Sequence, residues 1–137
     1  LASKIVKYFD GDLTGKTIAV WGLAFKPNTD DIREAPAQTI VARLINKGAS
    51  VKVYDPEAMD NFKQEFGDKI EYGENEYDVL KGADALAIIT EWNEFRTPDF
   101  ERMKTLMKAP AIFDGRNIYD VMTVRDMGFY YDSIGRV

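Results

Sequence analysis

Neither cysteine nor histidine occurs anywhere in this chain. Without cysteine there is no disulfide framework, no thiolate metal site and no thiol nucleophile. Without histidine, the commonest general base near neutral pH and the commonest zinc ligand are missing. Whatever the chain binds, it lacks the usual side chains for covalent or proton-transfer chemistry, so neither a catalytic residue nor a metal site is expected in it. Long apolar runs are absent too: none approaches the roughly 20 residues that span a bilayer, and no secretory start is present. Positive charge is outweighed, with 18 Lys and Arg against 23 Asp and Glu, a net charge of −5. That balance argues against broad nucleic-acid binding, which needs a basic face. An anionic ligand would have to be held by a local cluster of cations and backbone donors.

The 137 residues, 45% apolar and 30% charged, suit one globular domain with its own core. The chain opens at Leu1, without methionine and within a helical pattern, as expected of a segment of a longer protein. Leu1, Ile5, Val6 and Phe9 share one face at helical spacing over 1–9. Asp10-Gly11-Asp12-Leu13-Thr14-Gly15 then breaks the helix with turn residues. The expected division is therefore a helix end and linker over 1–12 and a domain over 13–137.

Beyond the linker, strands and helices alternate. Strands are expected at 17–21, 51–54, 69–72 (brief), 85–89, 111–113 and 129–131. Helices are expected between them: one led by Pro36 and ending at Lys47-Gly48, then 57–66, a short 76–81, the stripe Phe100, Met103, Leu106 and Met107, and 118–127. Ala85-Leu86-Ala87-Ile88-Ile89 is the most apolar run and should be a central strand covered on both faces. Such alternation implies right-handed βα units, giving an α/β, Rossmann-like, doubly wound and mostly parallel sheet with helices on both faces.

Ligands of such sheets bind where strands end and helices begin. The segment from Gly22 to Pro36 leaves the first strand there, is unusually long, carries the cations Lys26 and Arg33, and is pinned by Pro27 and Pro36. It lacks the Gly-x-Gly-x-x-Gly dinucleotide fingerprint, so a full NAD site of the domain's own is not expected. Asp55, at the end of the second strand, occupies the place of a ribose-binding acid but also forms an ordinary Asp-Pro turn. Lys26 can reach a phosphate or stand solvated. Arg33, just before a helix, can grip an anion or pair with Asp30 or Asp31. Arg116, after Asp114-Gly115, points toward the same crevice if the first and fifth strands flank it, while Asp114 can equally bond loop amides. Trp92, Phe95 and Arg96 follow the strand at 85–89, where aromatics can stack on a base or pack against protein.

The segment Gly22–Pro36 resembles the signature of UDP-glucose 6-dehydrogenases, within the UDP-glucose/GDP-mannose dehydrogenase family. Val53-Tyr54-Asp55-Pro56, Ile89-Thr90-Glu91-Trp92-Asn93-Glu94-Phe95-Arg96 and Phe113-Asp114-Gly115-Arg116-Asn117 are similar to further motifs of that family, in the same order. The likeness covers nearly the whole chain but only the family's C-terminal, UDP-binding domain. It implies that Lys26 contacts the substrate with Phe25 beside it, that Arg116 reaches the uridine diphosphate, and that Arg33 crosses the cleft to NAD held by an N-terminal Rossmann domain. Residues 1–9 would end the long central helix that supports a homodimer. The family oxidises the sugar's C6 alcohol to a carboxylate in two NAD-dependent steps, using a cysteine, a lysine and an aspartate-activated water. None of these groups falls in this segment, so binding without turnover is implied, in a cytoplasmic enzyme that uses a UDP-sugar, no nucleic acid and no membrane.

Two other readings compete. One keeps the family and changes the substrate to UDP-N-acetyl-mannosamine or GDP-mannose; the Lys-Pro-Asn-Thr-Asp-Asp-Ile-Arg-Glu and Glu-Trp-Asn-Glu-Phe wording favours UDP-glucose. The other is a non-catalytic Rossmann-like ligand-binding module. A phospho-acceptor receiver domain is set aside, because Phe25-Lys26 stands where it would need an acidic pair.

Overall fold

A computed structural model describes residues 1–33 and 35–133 of the chain. Its six strands are β1 (Thr17–Trp21), β2 (Ser50–Tyr54), β3 (Glu71–Tyr72), β4 (Ala85–Ile88), β5 (Ala111–Asp114) and β6 (Tyr130–Ser133). They form one sheet in the order β3-β2-β1-β4-β5-β6, and every pairing is parallel. The helices are α1 (Ala2–Tyr8), α2 (Pro36–Asn46), α3 (Met59–Phe66), α4 (Phe100–Leu106) and α5 (Val121–Asp126).

Period-two alternation divides the core between the two faces. Ile18, Val20, Ala85 and Ala87 turn toward residues of α1, α2 and α3, among them Ile5, Val41, Leu44 and Phe62. Ala19, Trp21, Leu86 and Ile88 turn the other way, toward Met103 of α4 and Val124 of α5. All four β4 residues are fully buried, as expected of a strand covered on both sides. The strand order reverses between β1 and β4, so their following loops part there and leave a crevice at the carboxyl edge. Gly22 allows the two strand ends to approach closely. Its φ is +98°, and a Cβ there would lie 2.5 Å from the Thr90 amide nitrogen.

The expected elements are present with local corrections. The helix expected over 118–127 starts only at Val121. Asp114 captures the amides of Arg116, Asn117 and Ile118 in a turn, and Asp120 then caps α5 by accepting from the Thr123 amide. The short helix expected over 76–81 is a single 3-10 turn, Asp78–Leu80, because the Asn75 side chain accepts from the amides of Tyr77 and Asp78. β6 begins at Tyr130 rather than 129 and runs on to Ser133. Pro36 stands in the first turn of α2, where its missing N–H costs nothing. Among the described residues no helix is long and apolar enough to cross a membrane.

Candidate functional site

Three loops meet at the carboxyl edge beside the β1/β4 crevice, and Arg116 ties them together. Its Nε donates to the Ile89 carbonyl at 2.6 Å, just beyond β4, and an Nη2 donates to the Phe25 carbonyl in the β1 loop at 3.4 Å. Its own backbone N–H is held by Asp114 at 2.8 Å. The guanidinium therefore stands next to the Phe25-Lys26 peptide, although 90 residues separate Lys26 from Arg116 in the chain. Phe25 is 46% exposed and Lys26 is exposed. Among the described residues the Lys26 ammonium makes no hydrogen bond or ion pair, though it helps hold the Asp31 carboxyl down. A pocket of about 270 Å³ beside Arg116 is lined by Leu1, Pro36, Ile40, Ile89 and Gly115. The site thus combines an apolar recess and a fixed guanidinium, a composition suited to a nucleotide's ring and phosphates, with the Lys26 backbone beside it.

Arg33 stands apart from this group. It lines a separate polar groove of about 520 Å³ with Asp31, Asn61, Gln64 and Glu65, and its side chain is 88% exposed. Its guanidinium forks onto Asp31, both bonds being 3.0 Å, so the ion-pair alternative is realised in the structure. The pairing pulls the Asp31 carboxyl down to about 2 and pushes Arg33 up. The loop itself is closed by the Phe25 N–H donating to the Asp31 carbonyl at 2.8 Å.

Asp55 and Asp114 are both fully buried and both spend their carboxyls on protein. Asp55 accepts from five N–H groups: Leu23, Ala24, Glu57, Ala58 and the Trp92 indole. It fixes the backbone that leads into Phe25-Lys26, and Thr90 adds a 2.7 Å bond to the Ala24 carbonyl. Asp114 accepts from three loop amides and the Tyr131 hydroxyl. Trp92 and Phe95 are core rather than base-stacking residues. Trp92 points its indole N–H at Asp55, and Phe95 stacks on Trp21 at 5.1 Å. Arg96 is exposed. Sequence reasoning missed the Asp55 network and Glu91, whose Oε2 lies 3.5 Å from Arg116 Nε. The available signal was Asp55 before Pro56, a pattern whose side chain commonly takes the amides two and three residues on.

On the face of the sheet that carries α4, Glu76 offers its backbone carbonyl to the Trp21 indole N–H at 2.8 Å. Its Oε2 is buried without a partner among the described residues. Burial, then the Glu94 carboxylate, pushes the Glu76 carboxyl up to about 7, against the pull of Arg102. Unfolded, the same group releases its proton near 4.5. Its favourable contribution is therefore complete below about 4.5 and is lost as pH rises through about 7. Stability is expected to fall between pH 5 and 8. Glu76→Gln should flatten that fall, adding about 1–2 kcal/mol at pH 8 (discounted for partial exposure) and nothing at pH 5. Urea midpoints of both proteins across that range check it.

A sequence profile described as the UDP binding domain of the UDP-glucose/GDP-mannose dehydrogenase family matches residues 19–121. The chain belongs to this family. Its UDP binding domain is the part present, and the match takes in Phe25, Lys26, Arg33 and Arg116. A UDP-glucose 6-dehydrogenase of Rhizobium meliloti (strain 1021) is 47% identical over 136 residues, covering 99% of this chain and 31% of that protein. Among solved structures, a UDP-glucose dehydrogenase from Pyrobaculum islandicum is 30% identical with a TM-score of 0.76, covering 98% of this chain and 28% of that one. The UDP-D-ManNAc dehydrogenase of Pyrococcus horikoshii is also 30% identical, with a TM-score of 0.75, covering 99% of this chain and 29% of that one. The chain spans under a third of the length of these relatives. Within this UDP binding domain the residues do not fit a dinucleotide at the domain's own switch point. The ribose-binding place is taken by Asp55, which is fully buried and bonded to Trp92 and four backbone amides, and the loop after β1 has a single glycine.

Proposed function

We propose that this chain is the nucleotide-holding domain of an NAD-dependent UDP-glucose 6-dehydrogenase, which oxidises the C6 alcohol of UDP-glucose to the carboxylate of UDP-glucuronate. The observation that carries the proposal is the convergence of Arg116, the Phe25 carbonyl and the end of β4 on one crevice. In this reading Arg116 holds the diphosphate, Lys26 meets the substrate with Phe25 beside it, and the apolar recess takes the pyrimidine ring. Arg33, on the exposed groove, exchanges Asp31 for the NAD held by a preceding domain. NAD supplies the hydride acceptor; this chain contributes position. Fixing the remote nucleotide lets binding energy orient the sugar for reaction, in keeping with a segment that contains no cysteine. The same reading gives the whole enzyme an N-terminal partner domain, residues 1–12 as the end of a connecting helix and linker, 13–137 as the UDP-binding unit, a homodimeric assembly and a cytoplasmic location.

The test is made on the full-length parent. NADH formation is expected with UDP-glucose, and much less with UDP-N-acetyl-mannosamine or GDP-mannose. Preference for either of the latter overturns the substrate assignment, and the likeness to the Pyrococcus enzyme makes UDP-N-acetyl-mannosamine the informative comparison. In the same assay Arg33→Ala should raise the KM for NAD about tenfold or more, the loss of one charge-assisted contact. The KM for UDP-glucose should change little.

A further inference from the structure

The Arg116 side chain is positioned without help from the nearby Glu91 carboxylate. Its Nε carries one hydrogen, spent on the Ile89 carbonyl at 2.6 Å, and Nη2 reaches the Phe25 carbonyl. The Asp114 carboxyl fixes the backbone on which Arg116 stands. Glu91 then adds a carboxylate 3.5 Å from Nε, with both side chains partly buried, Arg116 30% and Glu91 25% exposed. That carboxylate therefore contributes charge rather than placement. It lies on the same crevice where the proposed ligand brings negative charge, in a partly desolvated setting where like charges interact more strongly than in bulk water. Arg33 has a comparable companion in Asp31, so each of these two guanidiniums has an acid of its own.

We infer that Glu91 is the resident competitor for the anionic ligand at Arg116, an affinity-setting residue that neutralises the guanidinium until the ligand's phosphates do so. The inference rests on the nucleotide reading above and deepens it. A carboxylate several ångströms from the phosphates opposes each negative charge the ligand carries, so its effect grows with that charge. Diphosphate, monophosphate and uncharged nucleoside are expected to respond in that order. A purely structural role for Glu91 would alter all three alike.

The test is calorimetry of UDP, UMP and uridine binding to the wild-type chain and to Glu91→Gln in low-salt buffer. Glu91→Gln is expected to tighten UDP about three- to tenfold, UMP less and uridine not at all, with the gain largely gone at about 0.5 M salt. Unchanged or weaker UDP binding by Glu91→Gln, with wild-type binding that depends on Arg116, overturns the role of Glu91 and leaves the nucleotide reading standing. An equal change for uridine overturns it as well. If the wild type binds no UDP, the nucleotide reading fails, and inorganic pyrophosphate read at the Arg116 Nε–Hε resonance decides for Glu91. Tighter pyrophosphate binding by the variant supports competition, and equal, weaker or absent binding ends it.

Discussion

Replacing Asp55 with alanine is expected to lower the thermal midpoint of the domain by about 10 °C or more. Five N–H donors converge on this fully buried carboxyl, from the β1 loop, the turn after β2 and the Trp92 indole. Removing the acceptor strands buried donors, each costing on the order of 1–3 kcal/mol. Relaxation will recover part of this, leaving a loss of about 3 kcal/mol, which for a domain of this size is roughly 10 °C. Trp92→Phe withdraws one donor and keeps an aromatic ring, and should cost about 1 kcal/mol. Scanning calorimetry of the two variants checks the ordering. A midpoint for Asp55→Ala within 2 °C of wild type would show that the network does not hold the edge of the sheet together.

The other large effect is on binding. Arg116→Ala should weaken UDP about 10- to 100-fold, the range for one charged hydrogen-bonding group lost from a partly buried site. Arg116→Lys separates charge from shape. A lysine keeps the positive charge but cannot bond Ile89 and a phosphate with one planar fork. The expected result is an affinity closer to Arg116→Ala than to wild type. If lysine restores full affinity, the arginine acts as a point charge and its bond to the Ile89 carbonyl is incidental to binding. Lys26→Ala should also weaken UDP, by less, since an exposed ammonium is screened by solvent and salt.

The architecture was legible because it rests on local pattern. The apolar run 85–89 contains the doubly covered β4, and the helix expected from Pro36 to Lys47-Gly48 is α2, with Pro36 in its first turn. Most of what could not be read depends on partners remote in sequence. Asp55 looks the same whether it binds a ribose or caps a turn; Trp92, 37 residues away, decides. Trp92 and Phe95 follow a strand end where aromatics can be exposed or buried, and Trp21 and Asp55 draw them inward. The late start of α5 reflects Asp114 taking three amides that the apolar pattern alone would assign to a helix. Lys26 and Arg116 were legible as candidates from strand ends, whereas the approach of Arg116 to the Phe25-Lys26 backbone became visible only through the Phe25 carbonyl.

The nucleotide is expected at a single place, the crevice between the ends of β1 and β4. Titrating UDP into the isotopically labelled chain and following amide resonances tests it directly. The expected result is a saturable set of shifts confined to residues 24–26, 89–91 and 115–117, weakened in Arg116→Ala. Shifts centred instead on the groove around Asn61 and Gln64, or on the opposite edge around Ser50 and Lys69, would contradict it.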